Sequence, residues 1–83
     1  MKPKDKSEIY KSLEDGEIDM GLAVRLLRKQ LSLTQDQYAK MIGIDKRVLA
    51  QFERNKGNLT QKKIASILEP LGLELTARRP EVY

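Results

Sequence analysis

Leu33-Thr34-Gln35-Asp36-Gln37-Tyr38-Ala39-Lys40-Met41-Ile42-Gly43-Ile44-Asp45-Lys46-Arg47-Val48-Leu49-Ala50-Gln51-Phe52-Glu53-Arg54 is the stretch that decides the fold of this chain. Thr34 is a good N-cap, and Asp36 and Gln37 fall in the first turn after it, where an acid complements the positive end of a helix. The helix so opened is short and stops at Gly43, which takes a positive φ at no steric cost. Asp45 caps a second short helix that runs to about Arg54. Ala39 is small enough to let the two helices cross closely, and Ile44 plugs the core beneath the turn. Val48, Leu49 and Phe52 supply the buried face of the second helix. Lys46, Arg47, Ala50, Gln51 and Arg54 are left on its outer face at spacings of 3–4 residues, so they form one continuous polar and basic surface. Gln35 to Arg54 therefore reads as two helices joined by a tight turn.

The same logic extends outward in both directions. Ser7 is the expected cap of a short helix through Leu13, with Ile9, Tyr10 and Leu13 as its apolar residues. Gly16 breaks that pattern. Ile18, Leu22 and Leu26 then recur every four residues beside Ala23, Leu27 and Leu31, the stripe of an amphipathic helix. Beyond the polar turn Asn55-Lys56-Gly57-Asn58, Thr60 caps a further helix whose Ile64, Ile67, Leu68 and Leu71 share one face. Pro70 disfavours helical geometry at Glu69 and ends or distorts this helix, and Gly72 is a natural stop. From Leu73 the period changes. Leu73, Leu75 and Ala77 alternate with Glu74, Thr76 and Arg78, a short strand pattern. A lone strand needs a partner, and the simplest is the same strand of a second copy.

Composition narrows the function classes. The 83 residues amount to one small domain. The absence of cysteine and of histidine removes thiolate chemistry, the commonest general base and the commonest neutral metal ligand. No Gly-rich phosphate loop or nucleophile–base pair is visible, so an enzyme is the poorest reading, and neither a metal nor a cofactor is expected. No apolar run is long enough for a membrane span, and the start Met1-Lys2-Pro3-Lys4-Asp5-Lys6 is not a signal peptide, so a cytoplasmic location is expected. The net charge of +4 is unevenly spread: residues 20–63 hold ten Lys/Arg against three acids, and both ends are slightly acidic. Such a basic middle attracts a polyanion such as DNA. A helix with the outer face described above fits a B-DNA major groove, its N-terminal residues toward the base edges.

The combination Leu33-Thr34-Gln35, Ala39, Gly43-Ile44 and Phe52-Glu53-Arg54 resembles the XRE (Cro/C1-type) helix-turn-helix family, over about Leu22 to Leu71. The ending Ile67-Leu68-Glu69-Pro70-Leu71-Gly72-Leu73-Glu74-Leu75 resembles the HipB-like branch, in which a strand follows the last helix. The resemblance implies an all-α, lambda-repressor-like domain of four to five helices with a short C-terminal β-strand paired in a homodimer. It implies a DNA-binding repressor that is also the antitoxin of a HipA-type kinase toxin. By that resemblance Thr34 and Gln35 meet a phosphate at a helix N-terminus. Lys46, Arg47 and Gln51 occupy base-reading positions, although phosphate contact stays open for Lys46 and Arg47; Arg or Lys suits guanine and Gln suits adenine. Ala50 lets the helix approach and touches a thymine methyl, and Arg54 and Lys56 meet phosphates. Glu53 turns inward to pair with Arg28, since an acid facing DNA would repel it. Leu73, Leu75 and Ala77 form the dimer strand. The expected organisation is an N-terminal arm with a possible short helix over 1–16, the DNA-binding domain over 17–72, and a strand and tail over 73–83. The partners expected are a palindromic operator in double-stranded DNA, a second copy and the kinase toxin. Two rival readings remain: a stand-alone phage- or plasmid-type regulator, and a helical adaptor that no longer reads DNA. The basic face of Lys46 and Arg47 argues against the adaptor.

Overall fold

The computed structural model describes residues 5–73. Five α-helices follow one another: α1 (Lys6–Glu14), α2 (Met20–Gln30), α3 (Gln35–Ile42), α4 (Lys46–Glu53) and α5 (Gln61–Leu68), the last continued by a 3₁₀ turn over Glu69–Leu71. Each α-helix begins at a side-chain cap. Thr34 and Gln37 form a reciprocal capping box at α3, with Gln37 N–H donating to Thr34 Oγ1 at 3.0 Å and Thr34 N–H to Gln37 Oε1 at 2.9 Å. Asp45 and Thr60 cap α4 and α5 as their positions in the sequence suggest. The cap of α1 is Asp5, not Ser7. The Asp5 carboxylate, two residues upstream of Ser7, accepts the Glu8 N–H at 2.9 Å and so opens the helix before Ser7. Asp19 caps α2, so Ile18 lies just outside that helix.

One core joins all five helices. Ile9 from α1, Ala23, Val24 and Leu27 from α2, Tyr38 and Ala39 from α3, Leu49 from α4 and Ile67 and Leu68 from α5 are buried together with Leu71 and Leu73. The buried stripe of α2 is rotated from the one expected: Leu22 and Leu26 are half-buried, Leu31 is exposed, and Val24 takes the interior with Arg28 beside it. On α4 Leu49 is the fully buried apolar residue, with Val48 and Phe52 half-buried beside it. The Tyr38 hydroxyl donates to the Ile67 carbonyl at 2.5 Å, which ties α3 to α5. Burial, and after it the nearby Glu53, push that phenol up to about 12.

Pro70 distorts rather than breaks the chain. It sits inside the 3₁₀ turn, after which Leu73 N–H returns to the Leu68 carbonyl at 3.1 Å. No strand occurs among the described residues, and the strand expected over Leu73 to Ala77 lies outside them apart from Leu73. Leu73 itself was expected at a dimer interface, but it packs into its own chain's core. The backbone reversal at Gly72 turns its side chain inward.

Candidate nucleic-acid interface

The α3–turn–α4 unit owes its shape to Gly43. Its φ of +79° closes α3 in the left-handed region, and the N–H groups of Gly43 and Ile44 both return to the Ala39 carbonyl, at 2.9 and 3.0 Å. That reversal lets Asp45 open α4 two residues later. On the inner side of α4, Leu49 is buried among the other helices and Glu53 is 7 % exposed. On the outer side Lys46, Arg47, Gln51 and Arg54 are exposed and Ala50 is half-buried; Lys56 is exposed in the turn beyond. The structure thus brings five of the expected DNA-contacting residues onto one helix and its C-cap. Asp45, the N-cap of α4, meets one of them. Its carboxylate accepts from the Arg47 N–H at 2.7 Å and lies 3.6 Å from Arg47 Nε, yet the Arg47 side chain remains 91 % exposed and free to swing outward.

Behind this face lies a buried ion pair. Arg28 Nε donates to Glu53 Oε2 at 2.8 Å and its terminal nitrogen to Oε1 at 3.0 Å, a two-pronged contact between α2 and α4. A third guanidinium N–H reaches the Leu33 carbonyl at 2.7 Å and fixes the loop that leads into α3. Gln35 joins this cluster: its side-chain amide donates to Glu53 Oε1 at 3.0 Å. No local pattern in the sequence hints at that bond, since Gln35 and Glu53 lie on different helices. It leaves the second amide hydrogen and the carbonyl oxygen of Gln35 for an outside partner. Thr34, committed to its capping box, is exposed at the same helix end.

Two further residues position α4. At Gly21 the backbone of α2 runs against the end of α4: a Cβ there would lie 2.6 Å from the Phe52 carbonyl oxygen and 2.8 Å from that of Glu53. Asn55, at φ +60°, turns the chain out of α4, and its side-chain oxygen accepts from Gly21 N–H at 3.3 Å. Asn55 also bonds the Asp19 carboxylate, and this bond, with the Leu22 N–H, holds Asp19 below the usual aspartate value. In the sequence Asn55 is simply one of four turn residues. Its tolerance of the left-handed region was the available signal.

No group of acidic or sulfur and imidazole side chains that could hold a metal occurs among the described residues, and none of their helices is long and apolar enough to cross a membrane. The family model described as helix-turn-helix matches residues 24–77. Antitoxin HipB of Escherichia coli (strain K12) is 39% identical over 54 residues, which cover 65% of this chain and 61% of that protein. Antitoxin HipB of Escherichia coli O6:H1 is 37% identical over 54 residues, 57% of its length. The match thus spans only about three fifths of either antitoxin. The uncharacterized HTH-type transcriptional regulator y4mF of Sinorhizobium fredii is 31% identical over 62 residues, 75% of this chain and 82% of that protein. No solved structure matches. With the capped pair α3 and α4, the glycine turn between them and a match over residues 24–77, the chain belongs to the helix-turn-helix family of the XRE type.

Proposed function

We propose that this regulator is a sequence-specific repressor that reads a palindromic operator as a homodimer and serves as the antitoxin of a HipA-type kinase toxin. One observation carries the DNA-reading part. Helix α4 is anchored from inside by Leu49 and Glu53 and offers Lys46, Arg47 and Gln51 outward, with the small Ala50 on the same face. Anchored on one face and polar on the other, such a helix enters a major groove as a rigid body, and Arg and Gln make paired hydrogen bonds to guanine and adenine edges. Thr34, Gln35, Arg54 and Lys56 flank it and hold phosphates.

The test is an operator selected from random duplexes. Arg47→Ala and Gln51→Ala should each weaken binding to it by about 1–3 kcal/mol and relax sequence choice at their own positions. Far-UV circular dichroism should not change. A variant that binds its operator as tightly as the parent is not reading a base. Sedimentation of the complex gives the stoichiometry: two chains on half-sites about one DNA turn apart, or a multiple of it, support the dimer, and one chain per duplex overturns it.

The antitoxin role is supported by the similarity to two HipB antitoxins. The similarity to the HTH-type regulator y4mF, whose match covers more of both chains, supports transcriptional regulation and is compatible with either the antitoxin or the stand-alone reading. Co-purification with a kinase encoded beside this protein separates them: a stable complex supports the antitoxin, and its absence leaves a regulator that acts alone.

A further inference from the structure

Between the C-terminal half of α2 and the outer edge of α4 runs an open groove of about 380 Å³. Its floor is the Arg28–Glu53 pair with Gln35 beside it, and its walls carry Arg25, Lys29 and Arg54. The floor is charge-balanced, because Arg28 and Glu53 neutralise one another. The walls are not. Arg25, Lys29 and Arg54 are exposed and form no ion pair among the described residues. Arg25 and Lys29 stand one helical turn apart on α2, so their side chains lie along one line on the same face. Three uncompensated cations therefore frame a groove over a neutral floor, which suits an extended anion.

We infer that this groove seats the phosphate backbone of one DNA strand, so that Arg25 and Lys29 are backbone-binding residues of the same protein–DNA interface. The inference rests on the DNA-reading role of α4. The groove shares Ala50 and Arg54 with the outer face of that helix. A duplex whose major groove holds α4 must carry its flanking strand past this edge, and α2 is the element that meets it there. Helix α2 then meets the strand along the same groove whose floor carries Gln35. Because these contacts are to phosphate, they add affinity without sequence choice.

The experiment uses the full-length protein, a random-sequence duplex as probe and the double variant R25Q/K29Q. Each lost phosphate contact should lower the slope of log K against log salt by about 1, so the double variant should lose about 2. Affinity should fall by the same factor on the random duplex and on a selected operator, and the melting temperature should match the parent's. K6Q/K11Q on α1, which removes two charges away from the groove, should keep the parent slope; an equal drop there would make the effect one of net charge and overturn the proposal. If the parent binds DNA with strong salt dependence and R25Q/K29Q keeps its slope, the groove is not a backbone site although α4 still reads DNA. If the parent shows no salt-dependent DNA binding, the DNA-reading role fails with it. Loss of poly-glutamate binding by R25Q/K29Q, with the DNA slope retained, would assign the groove to an acidic protein segment and overturn the proposal.

Discussion

Charge on α4 is divided between two sides, and Glu53 shows why. An acid on the face of Lys46, Arg47 and Arg54 would repel phosphate. Turned inward, it meets Arg28 in a contact that is almost sealed from water, the two side chains being 2 % and 7 % exposed. A buried pair of this kind is weak evidence for net stability, because desolvation offsets most of the attraction. Breaking it is another matter, since a single buried charge is left without a partner. Glu53→Gln is expected to destabilise the fold by about 3–5 kcal/mol, with Arg28 stranded and the Gln35 bond altered as well. Arg47→Ala, at a fully exposed site, should fall within about 0.5 kcal/mol of the parent. Urea denaturation of both variants checks this, and a Glu53→Gln curve that overlays the parent's would mean the pair contributes nothing. The pairing of Arg28 with Glu53 was legible only through the family resemblance, for 25 residues separate them and no local pattern links them. Gln35 as the third member was not legible at all. Its side chain is long enough to reach either a phosphate or Glu53, and only the packing of α3 against α4 decides which bond forms within the chain.

At the scale of helices, the ends were easier to read than the faces. Thr34, Asp45 and Thr60 are small polar residues set directly before runs of helical period, and each caps as its chemistry requires. The faces depend on what is packed against them. Helix α2 has apolar residues around much of its circumference, at Leu22, Ala23, Val24, Leu26, Leu27 and Leu31, so period alone permitted more than one stripe. The approach of α4 at Gly21 selects the stripe centred on Ala23, Val24 and Leu27. The junction of these two helices is also sensitive to acid. Asp19 accepts the Leu22 N–H at 2.9 Å and the Asn55 amide, so its folded pKa lies below its unfolded value. The stabilisation is present above the unfolded pKa, about 3.9, and is lost as pH falls through the lower folded value. Asp19→Asn keeps a capping oxygen but carries no charge to titrate. The parent should therefore melt higher than Asp19→Asn near neutral pH, and the gap should close as pH is lowered below 4. Thermal melts of the two proteins across that range are the check. The carboxylate is largely solvent-exposed, so a small gap is expected. A gap that is constant with pH would exclude Asp19 as its source.

For the molecule as a whole, the question is where the domain begins. Composition and the break at Gly16 suggest an arm over residues 1–16 followed by the folded unit. In the structure, α1 is bound to both ends of the chain's core. Ile9 is fully buried within the same cluster as Leu27, Leu49 and Leu68, and the Tyr10 hydroxyl donates to the Leu71 carbonyl at 2.6 Å. That last bond joins residues 61 positions apart and closes the fold near the point where the 3₁₀ turn ends. None of this is visible in the sequence, because Ile9, Tyr10 and Leu13 make too short a pattern to show what they pack against. The two views predict different behaviour for Ile9→Ala. If α1 is an accessory arm, removing three buried carbons from it leaves the melting of the rest unchanged. If α1 completes the core, the variant loses the transfer energy of those carbons and leaves a cavity, at a cost of about 2–5 kcal/mol. In a domain whose total stability is about 5–15 kcal/mol, that is a large fraction. The loss should appear in a single cooperative transition, since one core serves all five helices. It should also lower DNA affinity near the new melting temperature without altering affinity well below it, because Ile9 is buried in the core and is not part of the exposed outer face of α4. Denaturation followed by circular dichroism and by tyrosine fluorescence decides between the views: coincident curves shifted to lower urea mean that α1 belongs to the DNA-binding domain, and an unshifted transition returns it to the status of an arm.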